Sequence, residues 1–406
     1  MTALTPTPTT PTTANPERGD RYVSLMREAW QQYPSLLDRL NQTITAERGF
    51  AVFRALADTY APSLTVSYTR APVARALLEQ ADLGPSLTVH DNYRHSGGLG
   101  LELGQAARKP IWCLAHLDFI SFLTGDRQDG RYPLISFCEP RQTAGAREAV
   151  AHTYEPESGG LVEVARGQLV MDPDGRFWFE TPADALPRLT RVSYATEARL
   201  DQATRQVYGA IDDAFGCAAL ILAAEVLSHY PVEALFVLTD EEEGVVDVGN
   251  QAFSRGSARL FRRTPVESLP NLVIVTDVHA DTDKATGRRR SEVVGGRGAV
   301  FTGVASRARG AVTPPHLLAF QRLMAQDLAG KGISLVEEVG YVSRSDCASA
   351  MMVTPNVLRV GYTGVYSHFE QTPQAHIDDL VHLAKTIAAW VIVAQSEAWQ
   401  RRYIGA

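Results

Sequence analysis

Between Asp20 and about Glu79 apolar residues recur at helical spacing. Tyr22, Leu25, Met26 and Trp30 fall at i, i+3, i+4 and i+8. The pattern then changes to continuous apolar runs of strand length, each ending in histidine or acid. The run 111–115 leads into His116-Leu117-Asp118, and the run 234–239 into Asp240-Glu241-Glu242-Glu243-Gly244. The run 272–276 leads into Asp277-Val278-His279. The run 357–361 is followed shortly by Ser367-His368-Phe369-Glu370. Continuous runs suit strands buried on both faces. Helical stretches over 217–228, 315–329 and 377–399 separate them. This alternation predicts an α/β fold, a mixed but largely parallel sheet sandwiched by helices.

Residues 121–203 read differently, as a small β-rich domain inserted into the α/β domain. Short runs at 160–164, 168–171 and 176–180 are punctuated by Gly, Pro and Asp. Asp172-Pro173-Asp174-Gly175 predicts a hairpin turn between the last two. The organisation expected is a Thr/Pro-rich tail (1–18), a first part of the catalytic domain (19–120), the insert (121–203) and a second part (204–406). The tail's composition predicts disorder, and it lacks the basic and apolar regions of a secretory signal.

A chain of 406 residues with 45% hydrophobic and 21% charged residues is ordinary for a globular protein of two or three domains. A net charge of −7 without basic runs argues against nucleic-acid binding. No apolar run has membrane-spanning length. Cys113, Cys138, Cys217 and Cys347 are widely spaced, which fits buried thiols in a reducing compartment better than a disulfide framework. A soluble cytoplasmic protein is the expectation.

The sequence contains no GxSxG elbow, P-loop or HExxH motif. Its chemistry lies at the strand ends, where in α/β sheets ligands bind. His116 and Asp118 are two apart on an extended chain and so share a side, where the carboxylate could orient the imidazole. Asp212-Asp213 precedes an apolar helix. N-capping explains one Asp but leaves the other for ligation. Glu241-Glu242-Glu243 reads either as a solvated loop or as a metal-binding group. Asp277 is a strand-end acid, and His368 a hydrogen-bonded structural residue or a ligand. Singly each signal is weak; together they form a donor set for hard or borderline cations.

That order, H-x-D, D-D, E-E-x-G, D and H, resembles the co-catalytic dizinc aminopeptidase superfamily, in its TET / glutamyl-aminopeptidase branch. The segments carrying the resemblance are AHLD, GAIDDAFGCAAL, TDEEEG, VTDVH and YSHFE, within roughly 91–390. The long gap between Asp118 and Asp212 accommodates the insert typical of that branch. The resemblance implies two divalent metal ions, zinc first, with cobalt or manganese as alternatives. Asp212 would bridge them, His116 and Asp277 completing one site, Glu242 and His368 the other. Asp118 would orient His116, and Glu241 would be the general base. A cis peptide at Asp212–Asp213 and a homo-oligomer built partly through the insert are also implied. The chain departs from the branch at Ala214, Asp240, Phe369 and Glu370. A metallo-aminopeptidase acting on peptides or small amides is therefore the first reading. A metal-dependent amidase or deacylase is the second, followed by a glycoside hydrolase or a non-catalytic scaffold.

Overall fold

A computed structural model describes residues 16–138, 141–142, 145–244, 254–280, 293–308, 310–340 and 342–403. At its centre four strands run parallel, in the order Ala234–Thr239, Ile111–His116, Leu272–Val275 and Val357–Val365. Leu99–Leu103 and Leu87–His90 extend the sheet antiparallel on one side. Gln374–His376, Gln206–Tyr208 and Arg199–Leu200 extend it on the other. The fold is thus mixed α/β with a parallel centre.

Both faces of this sheet are covered, which is why its strands lack alternation. From strand Ile111–His116, Ile111, Cys113 and Ala115 join the core containing helices Ala214–Leu227 and Ile377–Ala394. Trp112 and Leu114 point the other way, against Leu260 and Phe261 of helix Arg255–Arg262 and Ala350 of helix Cys347–Ala350. Every residue of helix Ala214–Leu227 is buried. Within it Phe215 meets Phe53 edge-on at 5.3 Å and Tyr362 at 4.7 Å. Phe215→Ala should therefore cost about 3–5 kcal/mol, read as a fall in urea midpoint.

The helix expected over 377–399 is two. Ile377–Ala394 ends, and Ser396 Oγ accepts the Trp399 N–H at 3.1 Å to start Glu397–Tyr403. The break turns Trp399 back onto Phe320 and Trp390. Four helices, Pro16–Gln32, Leu36–Thr43, Ala46–Ala57 and Arg70–Glu79, form the N-terminal part. Residues 16–18, read with the tail, belong to the first of these; residues 1–15 lie outside the described residues.

Between the two parts of the α/β domain, six strands close into a barrel. They are Phe122–Thr124, Tyr132–Ser136, Gly145–Glu155, Gly160–Met171, Phe177–Glu180 and Arg191–Tyr194. The runs 160–164 and 168–171 are one strand rather than two. Its hairpin partner pairs Met171 with Phe177, and Asp172 holds the turn by accepting from Asp174 N–H, Arg176 N–H and Trp178 Nε1. All four cysteines are buried. Among the described residues no helix is long and apolar enough to cross a membrane.

Candidate active site

The parallel strands set the depth of the site. Thr239 pairs with His116 across the ladder, so the acidic segment after Thr239 leaves the sheet beside the histidine. Helix Ala214–Leu227 begins at the same edge. Its N-cap is Asp213, whose carboxylate accepts the Gly216 N–H at 3.0 Å. A Cβ on Gly216 would meet that carboxylate at 2.4 Å, so the cap requires glycine there. With Asp213 engaged in capping, Asp212 is free to face the histidine. The Asp212–Asp213 peptide is cis.

Asp212 lies between two imidazoles. Its Oδ1 is 3.1 Å from His116 Nε2 and its Oδ2 is 3.9 Å from His368 Nε2. Glu243 Oε2 is 3.8 Å from His368 Nε2. Ligand atoms of His116, Asp212 and Glu243 all lie within 4.8 Å of one another. Glu242 Oε2 is 4.0 Å from His116 Nε2, and Ser254 Oγ donates to Glu242 Oε1 at 3.4 Å. Asp277 adjoins Asp212 and pairs with Arg359 at 3.2 Å.

Asp118 does more than orient a histidine. Its carboxylate accepts the backbone N–H groups of Glu242 at 3.0 Å and Glu243 at 3.2 Å, and the Ser63 hydroxyl at 2.6 Å. Its Oδ1 is also 3.4 Å from His116 Nδ1. One side chain thus ties the acidic segment, the histidine strand and the N-terminal helical part together.

Glu241, expected from the sequence as the base, does not face this cluster. It sits at φ +53°, and its carboxylate pairs with Arg259 and, at 3.9 Å, Arg255. The positive φ follows from the tight exit out of the strand. Asp240 accepts the Glu241 N–H at 2.7 Å and the Leu64 N–H at 2.9 Å, and a Cβ on Gly256 would collide with the Asp240 carbonyl. Glu241 is therefore turned toward helix Arg255–Arg262, while Glu242 and Glu243 turn inward. The E-E-x-G spacing could not reveal this, because Gly244 fits that motif in one register only, the one that places Glu241 first.

Sequence reading also missed Ser63 and Arg359. Asp346 accepts from Thr239 Oγ1 at 2.5 Å and is buried. Nothing in the helical pattern around Ser63 distinguishes it. Arg359 did carry a signal, as a lone charge within an apolar strand run.

The cluster holds more carboxylates than basic groups to balance them. Asp118, Asp212, Glu242, Glu243, Asp277 and Asp346 are buried together. Burial pushes Glu242 and Glu243 well above the usual carboxylate range, their acidic neighbours adding to it and His116 opposing it. Burial alone would lower His116, but its hydrogen bonds to Asp118 and Asp212 outweigh burial and hold it well above its ordinary value. Asp212 is held below the usual range: its bond to His116 and that charge overcome the opposing effect of burial. Such a set of oxygen and imidazole donors, with excess negative charge, fits divalent cations.

Ser63→Ala should destabilise the fold by about 1.5–3 kcal/mol, as expected for a buried hydrogen bond to a charged group. Urea unfolding reads this, and an unchanged midpoint would deny the Ser63–Asp118 tie its structural weight. Beside His368, a cleft of about 730 Å³ runs between barrel residues Arg147 and Tyr194, with Thr196 just after the barrel, and the segment containing Phe369 and Glu370. Phe369 stacks on Tyr194 at 4.7 Å, closing one wall.

No family model and no curated protein matches the sequence. Solved structures do. The TET1 peptidase of Pyrococcus horikoshii, described as assembling into a tetrahedron or a large octahedral shell, is 21% identical. The match covers 86% of this chain and 99% of that one, with a TM-score of 0.64. An aminopeptidase from the archaeon Desulfurococcus kamchatkensis is 18% identical over 85% of this chain and 95% of that one, TM-score 0.66. A Thermotoga maritima structure titled endoglucanase is 18% identical over 87% and 99%, TM-score 0.56. The resemblance legible in the strand-end motifs is thus also a resemblance in fold, barrel included, and the fold of this chain is that of the TET aminopeptidases.

Proposed function

We propose that this chain is a metal-dependent aminopeptidase, removing N-terminal residues from peptides. The observation that carries the reading is the convergence of His116, Asp212 and Glu243 within 4.8 Å, in a buried cluster with excess carboxylate. His116, Asp212 and Asp277 would hold one divalent cation, and Asp212, Glu243 and His368 a second, zinc being the first candidate. The chemistry such ions supply when bound is activation of a water nucleophile and stabilisation of the developing oxyanion.

Glu242, rather than Glu241, is the general base in this reading. Its carboxylate faces the cluster, and its position is held through the backbone by Asp118. It would accept the proton of the attacking water and deliver it to the leaving amine. Glu243 takes the ligand role first assigned to Glu242. Both roles therefore move one residue along the E-E-E run. The peptide would approach through the cleft beside His368. The assemblies described for the Pyrococcus horikoshii relative support a homo-oligomer here, and the buried cysteines support a cytoplasmic setting.

Elemental analysis combined with hydrolysis of an aminoacyl-anilide panel, with and without chelator, tests the reading. About two equivalents of divalent metal and chelator-sensitive release of the N-terminal residue are expected. Metal without aminopeptidase turnover would favour an amidase or deacylase acting on a non-peptide substrate. Hydrolysis of a β-glucan would move the assignment toward the Thermotoga maritima relative's title.

A further inference from the structure

Arg359 is the residue for which the proposed reaction has no use. It projects from strand Val357–Val365, where it pairs with Val275 of the neighbouring strand, and it is 1% exposed. Its Nη2 is 3.2 Å from Asp277 Oδ2 and 3.4 Å from the Val278 carbonyl oxygen. Its Nε and Nη1 have no hydrogen-bond partner among the described residues. A buried guanidinium without a counter-charge is strongly unfavourable, so Asp277 acts as its counterion. The other Asp277 oxygen, Oδ1, accepts the Val278 N–H at 2.5 Å. Both oxygens of this carboxylate are therefore already engaged by the protein.

The opposite side of the cluster differs. Asp212 and Glu243 have only imidazoles as ion-pair partners among the described residues: His116 and His368 for Asp212, His368 for Glu243. A dication arriving there meets carboxylates that no arginine or lysine neutralises. One arriving at Asp277 meets a resident positive charge and must compete for the carboxylate.

We infer that Arg359 weakens the divalent-cation position that Asp277 lines relative to the one that Glu243 lines, and so sets the gap between them. The Asp212–Glu243–His368 position is the tight one. The His116–Asp212–Asp277 position is the weak, exchangeable one. This rests on the metal-dependent reading above and adds to it the residue of this chain that separates the two positions.

The test is a titration of chelator-stripped full-length protein with Zn²⁺ against a chromophoric competitor, with calorimetry as a second readout. Two steps are expected in the native sequence, the second at least about tenfold weaker, the scale on which groups supporting a ligand alter metal affinity. Arg359→Met should narrow the gap by about tenfold, while Arg359→Lys, which keeps the cation, should preserve it. Should Arg359→Met not fold, as judged by circular dichroism, Asp277→Asn decides. It should remove the weak step and leave the tight one. Loss of the tight step in Asp277→Asn would overturn the inference, as would a folded Arg359→Met with an unchanged gap. Two equal steps in the native chain would overturn it alone, leaving the metal reading intact. No binding of Zn²⁺ at all would overturn both.

Discussion

Glutamine in place of Glu242 is expected to lower kcat/KM by about 10²–10⁴-fold while leaving the bound metal unchanged. That is the range over which a positioned acid–base group contributes. The amide keeps the size of the side chain and its contact with Ser254, but it cannot take a proton. Glu241→Gln should behave in the opposite way. Its carboxylate is the partner of Arg259 and Arg255, so the loss falls on stability, by about 1–3 kcal/mol, with turnover largely retained. Parallel measurement of kcat/KM, metal content and urea midpoint separates the two. An inactive, metal-replete Glu241→Gln beside an active Glu242→Gln would restore the first register. A Glu242→Gln variant that loses metal would make that residue a ligand.

Asp118→Asn should weaken metal affinity by about 10–100-fold and reduce kcat/KM together with it. Asp118 touches no proposed metal position, but it holds three things at once: the His116 ring, the backbone of Glu242 and Glu243, and Ser63. An asparagine side chain would turn an NH₂ toward at least one donor that now finds an oxygen. The buried acid also counterbalances His116, whose raised pKa depends on it. Competition with a chelator measures the affinity. Ser63→Ala, which removes one of the hydrogen bonds, should give a smaller change in the same assay. Equal losses in the two variants would mean that the Ser63 contact, rather than the carboxylate as a whole, carries the effect.

The sequence by itself determined the layout of this protein. Runs such as 111–115 and 234–239 are apolar at every position because both sheet faces are covered, and that property is visible without coordinates. Asp172-Pro173-Asp174-Gly175 announced its hairpin because turn chemistry is local. The edges of buried elements announced where the site would be sought, since His116, Asp277 and His368 end or follow apolar strand runs and Asp212 precedes an apolar helix. Tertiary structure decided which carboxylate does what. Among three consecutive glutamates, side-chain direction depends on one backbone turn, and that turn is set by Asp240, by Leu64 from a distant helix connection and by the approach of Gly256. The same holds for Ser63 and Arg359, whose partners Asp118 and Asp277 lie far away in sequence. A pattern of residue types records which elements form and which face each buries. The pairing of one buried charge with another is recorded only in the packing, because only packing brings such groups within the few ångströms over which they act.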